Sequence, residues 1–164
     1  MARPKISLID RSLIIRESIA ILEAQGLAGF NLRRLGARLS VNSASIYHYF
    51  DSKEDILRAA AGTLLREMQV PPYSEDWKKF FIETALSHWR FLVAKPFLAS
   101  LMIAGLRPTT EVDEYLSMML SRAEVPREFH PDIFVAIEAC IVGSALFEAT
   151  RAKLGTHAAR PNPE

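Results

Sequence analysis

Twenty consecutive residues, Asn31 to Phe50 (NLRRLGARLSVNSASIYHYF), constrain this chain more than any other stretch. Asn31 suits an N-cap, because its side-chain oxygen can accept from the unpaired amides of the next helical turn. Phe30 and Leu35 stand at the N′ and N4 positions of a hydrophobic staple. The pattern returns at Asn42, with Val41 and Ile46 in the same two positions. Two capped starts eleven residues apart leave room for a short helix and a tight corner. That is the spacing of a helix-turn-helix, whose second helix can lie in a DNA major groove. The second helix is expected over Ser43 to Phe50. Ile46 and Phe50 would face the body of the domain, and Ser43, Ser45, Tyr47, His48 and Tyr49 would face outward. Hydroxyls and an imidazole there can reach base edges and phosphate oxygens. A small solvated helix also has a polar outer face, but two tyrosines on it favour nucleic acid.

The charge distribution agrees. The net charge is only +1, yet residues 1–49 hold seven Arg/Lys against three Asp/Glu, and the remaining residues carry an acidic surplus. A positive first third joined to an acidic remainder fits a DNA-facing end and a body that avoids phosphates. Within the positive third, Met1 to Ser7 reads as a flexible arm carrying Arg3 and Lys5. Arg34 and Arg38, four apart on one helix face, suit either phosphate contacts or solvated surface. Ser52 with Asp55 resembles a capping box, and Lys53 then occupies the first helical position beside free amides, where charge and helix dipole together favour a phosphate.

The rest reads as helix throughout. A first helix over about Asp10 to Gln25, capped by Asp10 or Ser12 and stopped by Gly26, has an inner stripe of Ile15, Ser18, Ile19 and Leu22. A fourth runs from Ser52 to about Gln69, where Pro71 and Pro72 end it, and reads as the mechanical link between two halves. Ser74-Glu75-Asp76-Trp77 reads as the capped start of a helix reaching Ala94, and further helices follow over Pro96–Ala104, Thr110–Arg122 (Val112, Leu116, Met119 and Leu120 inward) and Asp132–Leu154. Almost every position from Ile133 to Phe147 is apolar, and a helix apolar all round needs cover all round. One face would meet its own domain. The other, with the small residues Ala136, Ala139, Cys140 and Gly143, would meet a second subunit. The fold class is therefore all-α, with a helix-turn-helix domain over 1–52, a second helical domain over 53–154 whose last helix suits dimerisation (and which the resemblance below makes a ligand-binding domain as well), and a disordered tail over 155–164.

Leu35-Gly-Ala-Arg-Leu-Ser-Val41, Ser45-Ile-Tyr-His-Tyr-Phe50 and Ser52-Lys-Glu-Asp-Ile-Leu57 resemble the N-terminal domain of the TetR family of bacterial regulators. The likeness covers residues 10–60, and the Tyr47, Phe50 and Lys53 spacing carries it. It implies a homodimer on a palindromic operator, released when a small molecule occupies the C-terminal domain. Arg33 stands where the family makes a groove or phosphate contact. With it, Asn42, Ser43, Ser45, Tyr47, His48, Tyr49 and Lys53 form the expected DNA-binding set. For the ligand the resemblance points to His88, Trp89, Met102, Met119 and Phe134. The later helices distantly resemble the tetracycline-repressor branch, through Trp77, the Arg107-Pro108 loop and Gly143 to Glu148. However, Leu98 to Gly105 lacks that branch's polar contacts, which favours an apolar or aromatic ligand. Gly36 departs from the family's usual alanine, and a mid-helix glycine costs roughly 0.5–1 kcal/mol. Family members usually continue with a further helix that completes the dimer interface. Here the interface is expected to rely on Thr110 to Leu154, unless the chain is a shortened form.

An enzyme is not expected. The four histidines, at 48, 88, 130 and 157, form no metal-binding spacing, and there is no phosphate loop and no nucleophile elbow. No cofactor is implied. Met1 to Leu8 lacks the apolar core of a signal peptide. The apolar run Phe97 to Leu106 is too short to span a bilayer. A cytoplasmic protein without membrane contact is expected, with Cys140 a small buried apolar residue. The competing reading is a helical small-molecule-binding or partner-binding protein without working DNA recognition.

Overall fold

A computed structural model describes residues 9–72, 74–106 and 111–155. Among these residues the chain is all helical: α1 (Arg11–Gln25), α2 (Leu32–Leu39), α3 (Ser43–Ile46), α4 (Lys53–Leu65), α5 (Trp77–Ala94), α6 (Pro96–Ile103), α7 (Glu111–Arg122) and α8 (His130–Leu154). The expected basic arm, the Arg107-Pro108 loop, the tail beyond Gly155 and the side chains of Val112 and Leu116 lie outside the described residues. The chain divides into two compact units. The first holds α1 to α4 and ends at Gln69, with Ser100–Glu111 added; the second comprises Val70–Ala99 and the chain from Val112.

In the first unit, α1 begins at Asp10, whose carboxylate accepts from the Leu13 amide at 2.7 Å. That bond, helped by the Ser12 hydroxyl, holds the Asp10 carboxyl below the usual carboxylate range. The cap is therefore intact at neutral pH and is lost only when acid protonates it. The buried residues of α1 are Ile14, Ser18, Ile21 and Leu22. This corrects the expected stripe, since Ile15 and Ile19 are only half-buried. The reason is that α1 packs against both α2 and α4. Ser18 meets its burial by donating to the Ile14 carbonyl at 2.7 Å.

The α4 helix lies along α1 and buries Ile56, Leu57, Ala60, Ala61 and Leu64. That packing puts α4 in the first unit, whereas a boundary after Ser52 would have placed it in the second domain. Its start is a variant capping box. Ser52 Oγ accepts from the Asp55 amide at 3.0 Å and its hydroxyl donates to Asp55 Oδ2 at 2.7 Å. The short aspartate thus takes the hydroxyl proton and also binds Arg58 at 2.9 Å.

The α2–α3 corner turns on two backbone facts. Ser40 adopts a left-handed conformation (φ 56°, ψ 37°), and the Val41 amide returns to the Gly36 carbonyl at 2.9 Å. This is the geometry by which helices end sharply. The returning chain passes so close that a Cβ on Gly36 would lie 2.8 Å from the Val41 carbonyl oxygen and 3.3 Å from the Ser43 nitrogen. Glycine at 36 is thus a packing requirement and not a weak helix former left in place.

In the second unit α8 packs along α5. Phe80 and Met119 form a buried centre, with Phe81, Leu120, Phe134 and Ile137 against it. His130 is buried and bridges two segments, with Nε2 2.9 Å from the Val125 carbonyl and Nδ1 3.4 Å from Ser117 Oγ. One side of α8 buries Val142 and Ala145. The other side is open: Val135 and Phe147 are 65 % and 66 % exposed, and Cys140 is exposed, which corrects the expectation of a buried thiol. By length and composition the stretch Arg127–Leu154 is apolar enough to cross a membrane, although Phe97 to Leu106 is not. In this fold its inner side is occupied by α5.

Gly36→Ala is expected to destabilise the protein by about 1–3 kcal/mol, against the gain that helix propensity alone would give. Ser40→Gly relieves a left-handed residue and should stabilise by about 0.5–1 kcal/mol. Urea denaturation of both variants decides the matter; a Gly36→Ala protein as stable as the parent would mean that the corner can open.

Candidate nucleic-acid interface

The helix-turn-helix is built from its caps outward. Asn31 Oδ1 accepts from the Arg34 amide at 2.8 Å, and Asn42 Oδ1 from the Ala44 amide at 2.9 Å. Both staples close: Phe30, Leu35 and Ile46 are buried, and Val41 is half-buried. The helix of α3 proper ends at Ile46 rather than Phe50. The Tyr49 and Phe50 amides both bond the Ile46 carbonyl, at 3.0 and 3.3 Å, so Tyr47 to Tyr49 form a closing turn.

This short segment displays its side chains as follows. Tyr47 is 50 % exposed. His48 and Asn42 are exposed, and Ser43 and Ser45 are half-buried. Tyr49 is half-buried as well, and its carbonyl accepts a hydrogen bond from the Arg11 guanidinium. The outward face is therefore narrower than the expected five residues: Tyr47 and His48 are its exposed side chains, with Ser45 half-buried beside them. Ile46 and Phe50 face the core, at 0 % and 3 % exposure.

The cations around α3 divide into committed and uncommitted groups. Arg38 binds Glu17 of α1 through Nη2 at 2.8 Å and Nε at 2.9 Å. Arg34 donates to the Gly29 carbonyl. Both are tied to the scaffold, an arrangement that neither the phosphate reading nor the solvated-surface reading anticipated. Arg33, in the first turn of α2, is exposed and makes no hydrogen bond or ion pair among the described residues. Lys53 sits at the first position of α4, half-buried, with Nζ 5.8 Å from the Phe30 ring centre. Its ammonium thus lies towards the Phe30 ring at the first turn of α4, a helix start whose amides and dipole favour a phosphate.

Of the residues proposed for a ligand, Met119 and Phe134 share the Phe80 cluster. His88 and Trp89 are half-buried on α5. Met102 is buried and belongs to the Ser100–Glu111 segment of the first unit. Ala136, Ala139, Cys140 and Gly143 all lie on the open side of α8, and a Cβ at Gly143 would meet nothing within 4 Å. The sequence reading missed Thr84. It is 7 % exposed, one turn beyond Phe80, and its hydroxyl has no hydrogen-bond partner among the described residues. It also missed Arg11, because no local pattern connects residues 38 positions apart.

Residues 14–60 match the family model for bacterial regulatory proteins of the tetR family. The class G tetracycline repressor protein of Vibrio anguillarum is 32 % identical over 104 residues, covering 62 % of this chain and 49 % of that protein. The chain thus aligns to about half the length of the repressors it matches. A TetR-family transcriptional regulator of Streptomyces coelicolor is 31 % identical, with a TM-score of 0.70, over 90 % of this chain and 87 % of that one. A TetR variant of Acinetobacter baumannii AYE, solved with minocycline, is 28 % identical with a TM-score of 0.75, over 88 % and 85 % of the two chains.

Alanine at Arg33 or Lys53 should weaken binding to every duplex alike and reduce the slope of log affinity against log salt by about 1. Alanine at Arg38 should leave that slope unchanged and cost up to about 1 kcal/mol of stability. Filter binding over a salt series reads both. A slope loss for Arg38→Ala as large as for Arg33→Ala would mean that the guanidinium leaves Glu17 for DNA.

Proposed function

Because the chain belongs to the TetR family of bacterial regulatory proteins, we propose that it is a ligand-responsive transcriptional regulator, a repressor acting in the cytoplasm on a palindromic operator. One observation carries the reading: a capped helix-turn-helix that presents Ser45, Tyr47 and His48 between two uncommitted cations, Arg33 and Lys53. Tyr47 and His48 read base edges. Arg33 and Lys53 hold phosphates and set the register, with Asn42, Ser43 and Tyr49 at the margins of the contact. In a two-fold dimer the α3 segments enter successive major grooves about 34–36 Å apart.

The open side of α8 is the surface offered to a second copy. Ala136, Ala139, Cys140 and Gly143 let two such helices approach closely, and Val135 and Phe147 lose their exposed apolar area. A stable interface needs roughly 800 Å² from each partner, and α8 supplies the largest share. Length and apolar composition alone would also suit a bilayer, but a second protomer provides the same cover.

The ligand is a small apolar or aromatic molecule held in the second unit near His88, Trp89, Met119 and Phe134, with Thr84 offering it a hydrogen bond. A buried hydroxyl without a partner costs about 1–3 kcal/mol, and a ligand that supplies the partner recovers that cost. Ligand binding alters the separation of the two readers, and by linkage DNA weakens ligand binding by the same factor.

Selection of random duplex DNA by the purified protein, with its solution mass measured alongside, tests the reading. A palindromic enriched site and a dimer mass are expected. A folded dimer that enriches nothing would leave the helical small-molecule-binding protein as the better description. A short bis-maleimide should join two protomers through Cys140 in high yield, and a monomer mass with no crosslink would remove the α8 interface. Thr84→Val keeps the shape of the side chain and should raise the unfolding free energy of the ligand-free protein by about 1 kcal/mol. A loss of stability would show that the hydroxyl already has a partner.

A further inference from the structure

The α3 helix is four residues long, too short to hold itself in water, where isolated helices need many more residues to be even marginal. Its pose is therefore set by what tethers it. Three tethers are on the molecule. At the start, Asn42 caps the Ala44 amide at 2.9 Å. In the middle, Ile46 is fully buried. At the end stands Arg11, the first residue of α1. Its guanidinium lies 4.1 Å from the centre of the Phe50 ring and donates to the Tyr49 carbonyl.

The two Arg11 contacts act on the same corner. Phe50 is 3 % exposed, so its outer face is covered by the guanidinium, an arrangement that a planar, delocalised cation makes better than an ammonium. Tyr49 offers one of the carbonyls left without a helical partner where the segment ends, and a cation there is favoured by charge as well as by the hydrogen bond. Arg11 is the tether that reaches the closing turn from another element, across 38 positions of sequence. The turn it holds contains Tyr47 and His48, the most outward side chains of the segment.

We infer that Arg11 is a positioning residue for sequence readout: it pins the closing turn of α3 to α1 and so fixes where Tyr47 and His48 meet the base edges. This rests on the DNA-binding reading above. A phosphate contact from Arg11 would act differently. It would add affinity for all duplexes and would need only a positive charge. A positioning role needs the flat, forked group and shows itself in discrimination between sequences.

Arg11→Lys separates the two, because it keeps the charge and loses the stacking and the fork. In the full-length protein, Arg11→Lys should lower affinity for the selected operator by about three- to tenfold. Affinity for an unrelated duplex and the salt slope should stay as in the parent. Amide hydrogen exchange at Tyr49 and Phe50 should speed up. Ile21→Val in the α1 core, a destabilised control, should leave the ratio of operator to unrelated affinity unchanged. Arg11→Lys with the parental ratio and parental exchange would overturn the inference. So would an Arg11→Ala protein that loses affinity for both duplexes equally, with a reduced slope, and is restored by lysine. If the parent itself selects no DNA, the underlying reading fails instead, and the exchange measurement alone decides whether Arg11 holds the turn.

Discussion

Where the chain leaving α2 crosses Gly36, backbone passes backbone with no room for a methyl group. Everything outward of it depends on that crossing. It brings Val41 back to bond the Gly36 carbonyl, delivers Asn42 in the extended conformation a cap requires, and so fixes the direction in which α3 starts. Ser40 bears the conformational strain of the corner and Gly36 the steric one. The few tenths to about one kcal/mol that glycine costs inside a helix is small beside the overlap that a larger residue would create. At this position tertiary packing outranks local propensity.

From that corner the readout segment is assembled almost wholly by contacts outside itself. A few helical residues form only one or two internal hydrogen bonds, too few to offset nucleation. The apolar anchors Ile46 and Phe50, the Asn42 side chain and the Arg11 guanidinium make up the difference. Arg38 has a comparable role in the preceding helix, tying α2 to α1 through Glu17. Of Arg11, Arg33, Arg34 and Arg38, three are thus built into the frame, and Arg33 alone makes no such contact among the described residues. Charge counts along the sequence overstate how much cation is free for phosphate.

Much of this was legible beforehand, for identifiable reasons. Asn31, Asn42 and Ser52 act within three residues of themselves, so their capping roles could be read from spacing alone. The long helices α5, α7 and α8 matched their expected spans to within a residue or two, because proline and the apolar period bound them. What escaped was non-local. The length of α3 was overestimated because Tyr47 to Phe50 look helical by pattern, yet their amides converge on one carbonyl. The inner face of α1 shifted because that helix serves two neighbours at once. The value of Gly36 could not be read, since the atom that forbids a Cβ comes from the turn beyond. Arg34 and Arg38 looked alike in sequence and proved committed to different acceptors. The open side of α8 and the exposure of Cys140 followed from the same gap, because apolarity alone does not say which side is covered by the same chain.

The residues that hold α3 and those that α3 displays are separate sets. Asn42, Ile46, Phe50 and Arg11 bear the tethering contacts, while Ser45, Tyr47 and His48 bear none that the segment needs to keep its place. A change among the second group alters what is presented without disturbing how it is presented. Such a frame lets mutation explore new binding preferences one residue at a time, at little cost in folding. Gene duplication could then yield regulators with different targets before their scaffolds had diverged.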